Sequence, residues 1–179
     1  MHGERQEAYR KVVEDWLENG FIERPTKWQG EWLSQGFVVP KPKADFPWRG
    51  VADMRGPNSQ TIPCNYPLPR IEDILVKQGA CNIYSIIDLK QAFHQQPMRP
   101  DCRHITCTHT PIGVFQWKLN VMGLTKAAQQ FQQMMDDRLG PVRDIADAYI
   151  DDIIVGTRVE EVGDPVAKHF GHLCRVLVF

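Results

Sequence analysis

The chain has no long hydrophobic run. Nowhere in its 179 residues is there anything near the roughly 20 consecutive apolar positions that a membrane-spanning helix needs, and no apolar leader core follows Met-His-Gly-Glu-Arg. No membrane partner is expected. Paired cysteines are lacking too: the five, at 64, 81, 102, 107 and 174, are odd in number, scattered and without a Cys-x-x-Cys. That spacing argues against a disulfide scaffold and for a reduced, intracellular chain. Net charge is only −1, but it is unevenly spread: Arg24 to Arg70 holds seven basic residues against three acidic, and both flanks are negative. A phosphate-binding surface beside an acidic metal site would be distributed this way. With 42% hydrophobic and 24% charged residues, the chain has enough apolar material for one core with a smaller lobe and lacks the composition of disorder.

What stands out is Ile145–Gly156, where Asp151 and Asp152 sit side by side between Ile150 and Ile153-Ile154-Val155. The flanking residues favour strands. Two adjacent carboxylates in a half-buried strand setting repel each other and lose hydration, so a positive partner is needed, and a divalent cation such as Mg²⁺ held by oxygen ligands supplies one. Successive strand residues point to opposite faces. Both carboxylates reach one ion only if the chain reverses, so the run reads as strand, tight turn at Ile150-Asp151-Asp152, strand. The other doubled pair, Asp136-Asp137, reads as helical and exposed, with no role.

Along the chain, Tyr9, Val12, Val13, Trp16 and Leu17 give a helix over Arg5–Asn19. Phe21–Glu31 reads as connection. Gln35–Lys41 and Trp48–Met54 form a hairpin with a basic tip, and Gly56–Pro69 is extended. Ile71–Lys77 is a short helix, Asn82–Ile87 a buried strand delivering Asp88, and Gln91–Gln95 a helical turn. His104–Thr108 and Val114–Leu119 read as strands, Leu124–Leu139 as the longest interior helix and Pro165–Val176 as the last. Interleaved strands and helices without a repeat indicate an α+β fold on an antiparallel sheet. Cys102, His104, Cys107 and His109 resemble a zinc set, but along a strand they face opposite sides, so no zinc site is expected.

Four segments in order carry a resemblance: Asn65-Tyr-Pro-Leu-Pro-Arg-Ile-Glu-Asp, Ser85-Ile-Ile-Asp-Leu-Lys-Gln-Ala-Phe-His-Gln, Gly123-Leu-Thr with Phe131-Gln132, and Tyr149-Ile-Asp-Asp. From about residue 8 onward the chain resembles reverse transcriptases of gypsy-type long-terminal-repeat retrotransposons. The resemblance implies the fingers and palm of a right-hand polymerase, an antiparallel palm sheet backed by helices, with the thumb absent. It divides the chain into an N-terminal helix at 1–23, fingers at 24–81 and palm at 82–179.

The implied activity is RNA-directed DNA synthesis: transfer of a nucleotide from a dNTP to a primer 3′-hydroxyl, with two Mg²⁺ ions, or Mn²⁺ as substitute, clamping the attacking and leaving oxygens. By resemblance Asp88 and Asp151 are the principal metal ligands and Asp152 the auxiliary one. Phe93 lies under the incoming sugar and selects deoxynucleotides, Lys43 and Arg49 grip the triphosphate, and Met122 stands where a ring packs at the nucleotide pocket. Asp53, Arg55, Asn58, Gly123 and Tyr149 fall on template-primer positions. Asn120-Val121-Met122-Gly123-Leu124-Thr125 departs from the family's Met-Pro-Phe-Gly-Leu-Thr, and Ala128 stands where Pro is usual. Implied partners are an RNA or DNA template with primer and the other parts of a longer polyprotein (thumb, ribonuclease H and integrase regions), in a cytoplasmic or particle-associated setting. The competing expectation is an inactive, truncated retroelement remnant that at most binds nucleic acid or a protein.

Overall fold

In the computed structural model, residues 2–26, 30–42, 45–62, 64–159 and 164–178 are described. Among them the strands are β1 (Ile22–Glu23), β2 (Ser34–Pro40), β3 (Trp48–Ala52), β4 (Ile83–Asp88), β5 (Thr108–Thr110), β6 (Gly113–Trp117), β7 (Ala146–Tyr149) and β8 (Asp152–Thr157). The α-helices are α1 (His2–Glu18), α2 (Arg55–Ser59), α3 (Ile71–Gln78), α4 (Ala127–Leu139) and α5 (Pro165–Leu177). They divide between two compact units: residues 1–63 with 93–127, and residues 64–92 with 128–179. Each unit takes two stretches of chain, so its limits differ from the linear division at 23 and 81.

In the first unit, the apolar spacing of α1 buries Tyr9, Val12, Val13 and Trp16 along one face. That face packs on a sheet ordered β1-β6-β5-β2-β3, against Val38, Ala52, Phe115 and Trp117. Gly50 on β3 permits the approach, since a Cβ there would lie 2.3 Å from the Trp16 ring. β2 and β3 form the expected hairpin, Gly36 opposite Ala52 through Pro40 opposite Trp48, and only the short β2–β5 pairing is parallel.

Two expectations fail here for local reasons. Gly56–Pro69 is not extended throughout: α2 forms because Pro57 falls in its first turn, where no backbone N–H is needed, and the Thr61 hydroxyl donates to Pro57 O. His104–Thr108 is not a strand, because Pro100–Thr106 forms a 3-10 helix started by Pro100 and the Thr106 hydroxyl donates to Arg103 O, diverting the chain until Thr108. β1, two residues long, was hidden in the presumed connection.

The second unit is built on an antiparallel sheet ordered β4-β8-β7. Ile153 and Val155 of β8 are buried on one face. α5 closes on this sheet through His169, which is 7% exposed: Nε2 meets Ser85 Oγ of β4 at 2.8 Å and Nδ1 meets Thr157 Oγ1 of β8 at 2.7 Å. α3 is pinned to β7 where Lys77 Nζ and Gln78 Nε2 each donate to the Asp147 carboxylate at 2.6 Å. The α+β class and the antiparallel sheet backed by helices are as expected.

Candidate active site

The β7–β8 hairpin turns on two residues. Tyr149 pairs with Asp152, leaving Ile150-Asp151 as the turn, one residue shorter than expected. Ile150 has φ 56°. Hairpin turns of this length want a positive φ at the first central position and usually fill it with Gly. A β-branched residue there is strained and needs outside support.

The support comes from α4. Gln132, fully buried, accepts a hydrogen bond from Ile150 N–H at 2.7 Å and donates through Nε2 to Ala148 O at 3.0 Å and to Asp136 Oδ1 at 3.1 Å. The Tyr66 hydroxyl donates to the other Asp136 oxygen, and Arg143 Nη2 lies 3.3 Å from Oδ1. Asp136 is thus half-buried and anchors the network, contrary to its reading as exposed and without a role. Gln132 was visible in sequence only as part of Phe131-Gln132.

The register decides which carboxylates meet. On β4 and β8, Asp88 lies directly opposite Asp152. Since Tyr149 is opposite Asp152 on the other side, Tyr149, Asp152 and Asp88 form one row across three strands. Asp88 and Asp152 are exposed. The half-buried Asp151 occupies the turn, its carbonyl accepting from Leu89 N–H at 3.0 Å. All three aspartates therefore gather at the ends of β4 and β8, but Asp152, not Asp151, is the cross-strand partner of Asp88.

Among the described residues no three Asp, Glu, His or Cys side chains converge closely enough to hold an ion. That includes the Cys102–His109 set. For the aspartates the donor chemistry still fits a hard cation: two exposed carboxylates side by side and a third next to them. Mg²⁺ is commonly held by one or two carboxylates together with substrate phosphates and waters, so a complete protein cage is not required.

The other candidates lie in the first unit, except Tyr149. Arg49 is exposed on β3; Lys43 lies outside the described residues. Arg55 donates from Nε and Nη2 to both oxygens of Asp53, at 2.9 and 2.6 Å, and this fork holds the Asp53 carboxyl down at about 2. Asn58 donates to Gly123 O at 2.7 Å and accepts from Thr125 N–H at 2.9 Å, clamping the loop after β6 from both sides. Within that loop Met122 is 49% exposed and Gly123 has φ 104°, a conformation that favours glycine. Phe93 is half-buried, in the 3-10 turn Ala92–Gln95.

Comparison with known proteins bears on the fold and the family. The family profile for reverse transcriptase (RNA-dependent DNA polymerase) matches residues 39–177. The chain is 34% identical over 147 residues to a retrovirus-related Pol polyprotein from transposon 297 of Drosophila melanogaster, covering 80% of this chain and 14% of that protein. It is 29% identical over 164 residues to a putative enzymatic polyprotein of cassava vein mosaic virus, covering 89% of this chain and 25% of that one. The chain thus spans a quarter or less of these relatives. A foamy viral protease-reverse transcriptase, solved with an RNA/DNA hybrid, has the same fold at TM-score 0.79 and 24% identity, covering 97% of this chain and 22% of that one.

Proposed function

The chain belongs to the reverse transcriptase family, and from that premise we propose that the Asp88–Asp152 row, with Asp151 beside it, is the catalytic centre of an RNA-directed DNA polymerase. The observation that carries this reading is the register: Asp88, more than sixty residues before the Asp151-Asp152 pair, ends β4 directly opposite Asp152, where β8 begins. In this reading the three-stranded sheet serves as palm and the five-stranded sheet as fingers.

The exposed carboxylates of Asp88 and Asp152 are the oxygen donors for Mg²⁺, or Mn²⁺ in its place, and the Ile150-Asp151 turn sets where Asp151 adds a further one. Two bound ions would supply charge neutralisation at the attacking and leaving oxygens. The chain's own part is to fix the donors before substrate arrives, which the Gln132 network does by holding the turn. Phe93 excludes a 2′-hydroxyl, Arg49 and Lys43 pair with the triphosphate, and Met122 borders the nucleotide. Tyr149, Gly123, Asn58 and the Asp53–Arg55 pair face the template-primer. The chain acts as part of a longer polyprotein that supplies the remaining primer contacts.

Mn²⁺ titration followed by nuclear magnetic resonance tests the centre directly. A saturable site should broaden the amides of Asp88, Leu89 and Asp152 first, and Asp88→Asn or Asp152→Asn should each weaken it at least tenfold. A site that survives both substitutions sinks the assignment. An inactive remnant would give no saturable broadening at all.

A further inference from the structure

Asn120 stands where the family's Met-Pro-Phe-Gly-Leu-Thr segment has Met, and here it is a buried polar residue, 7% exposed. Its Nδ2 donates to Gln96 Oε1 at 2.9 Å, while its backbone N–H donates to Gln96 O at 2.8 Å. The same two stretches are joined next door by the Pro97–Leu119 bridge and by Met98 N–H donating to Lys118 O at 2.8 Å. Gln96 N–H in turn donates to Phe93 O at 3.2 Å. Between Phe93 and Gln96, the His94 ring is stacked between Phe21, at 4.7 Å, and Trp117, at 5.7 Å. The turn that carries Phe93 is therefore fastened at two points. One is an aromatic stack. The other is an amide clasp whose second half lies two residues before Met122.

From this we infer that Asn120 and Gln96 are positioning residues that set the spacing between Phe93 and Met122, and through it the discrimination between deoxyribose and ribose. The inference rests on the reading of Phe93 as the sugar sensor. Its physical basis is a swap of restraints within one segment. A flexible thioether at 122 replaces a ring that would have filled the nucleotide pocket and helped hold its wall. The amide at 120 replaces an apolar side chain and adds a directional bond to the opposite wall. A methionine at 120 has no donor for Gln96 Oε1, so the family's own residue would remove this bond.

The test compares the affinities of the 179-residue chain for dATP and ATP, each with Mg²⁺, by calorimetry, in the wild type, Asn120→Met, Gln96→Leu, the double variant and Phe93→Ala. The wild type should prefer dATP and Phe93→Ala should lose that preference. Asn120→Met and Gln96→Leu should each shrink the dATP-to-ATP ratio about fivefold, the worth of one hydrogen bond, with the double variant no worse than either single one. Amide exchange at Phe93 and Gln96 should accelerate in both single variants, which reads the clasp without ligand. If Phe93→Ala removes the preference while Asn120→Met and Gln96→Leu keep it, the positioning role is wrong and the sugar-sensing reading stands. If no variant changes the ratio, or the wild type shows no preference, the sugar-sensing reading falls and takes the positioning role with it.

Discussion

His94 carries a consequence of its own at the scale of one residue. Its Nε2 is buried with no hydrogen-bond partner, and its ring is held between Phe21 and Trp117. Burial lowers the imidazole pKa below its ordinary 6.5. The folded chain then binds this proton less readily than the unfolded one. The neutral ring's contribution to stability is complete above about 6.5 and declines as the pH falls from there toward the lowered folded value. His94→Phe keeps a flat ring in the stack, removes the unpartnered nitrogen and has nothing to titrate. Urea unfolding at pH 8.0 and 5.5 should show His94→Phe losing less stability between the two conditions than the wild type (the pH values being about 1 unit or more either side of the ordinary imidazole range). Equal losses in the two proteins would mean that His94 does not govern acid sensitivity in this range.

At the scale of elements, the relation between α4 and the β7–β8 hairpin is the one on which the site turns. Gln132 satisfies Ile150 N–H and Ala148 O at once from a fully buried position. Gln132→Met keeps nearly the same volume but removes both bonds and leaves a strained turn without its support. The cost should be about 2–4 kcal/mol, from two stranded buried backbone groups, read as a lowered urea midpoint with an unchanged slope. Tyr66→Phe, which removes only the bond to Asp136, should cost about 1 kcal/mol. A Gln132→Met protein as stable as wild type would mean that packing alone holds the turn. The same hairpin marks how far sequence reading reaches. The β-branched run after Asp152, the strand ending in Asp88 and the apolar stripe of α1 were legible because each is a local pattern repeated over several residues, although β4 is not buried as expected: Tyr84 and Ile86 on it are exposed. The turn's length was not, because Ile150 is no turn former and is forced into place by a glutamine 18 residues away. A turn one residue shorter brings Asp152 into β8, opposite Asp88. For the same reason Asp136 could not be told from its exposed neighbour Asp137, since only the approach of Tyr66 and Arg143 distinguishes them.

Across the whole molecule, charge divides with the units. The first holds thirteen basic and ten acidic residues, the second eight basic and twelve acidic. Under the proposed function, a polyanionic template-primer should be attracted by the first unit's surplus and its affinity should fall as salt rises, with a log–log slope close to one for each phosphate charge neutralised. Not every arginine should count equally in that slope. Arg49 is exposed on β3, whereas Arg55, although 91% exposed at its side chain, already spends its fork on Asp53. Arg49→Gln should leave the duplex slope nearly unchanged, because Arg49 pairs with the incoming triphosphate, and Arg55→Gln should reduce it by less than one, because a compensated guanidinium releases fewer counterions on binding. Asp53→Asn frees the Arg55 fork for phosphate, so it should tighten binding at low salt and steepen the slope by about one. Fluorescence anisotropy of a labelled primer–template duplex between about 50 and 200 mM salt would measure all four proteins. Weaker binding by Asp53→Asn at every salt concentration would mean instead that Asp53 and Arg55 grip the template as a unit, with the carboxylate orienting the guanidinium rather than competing for it.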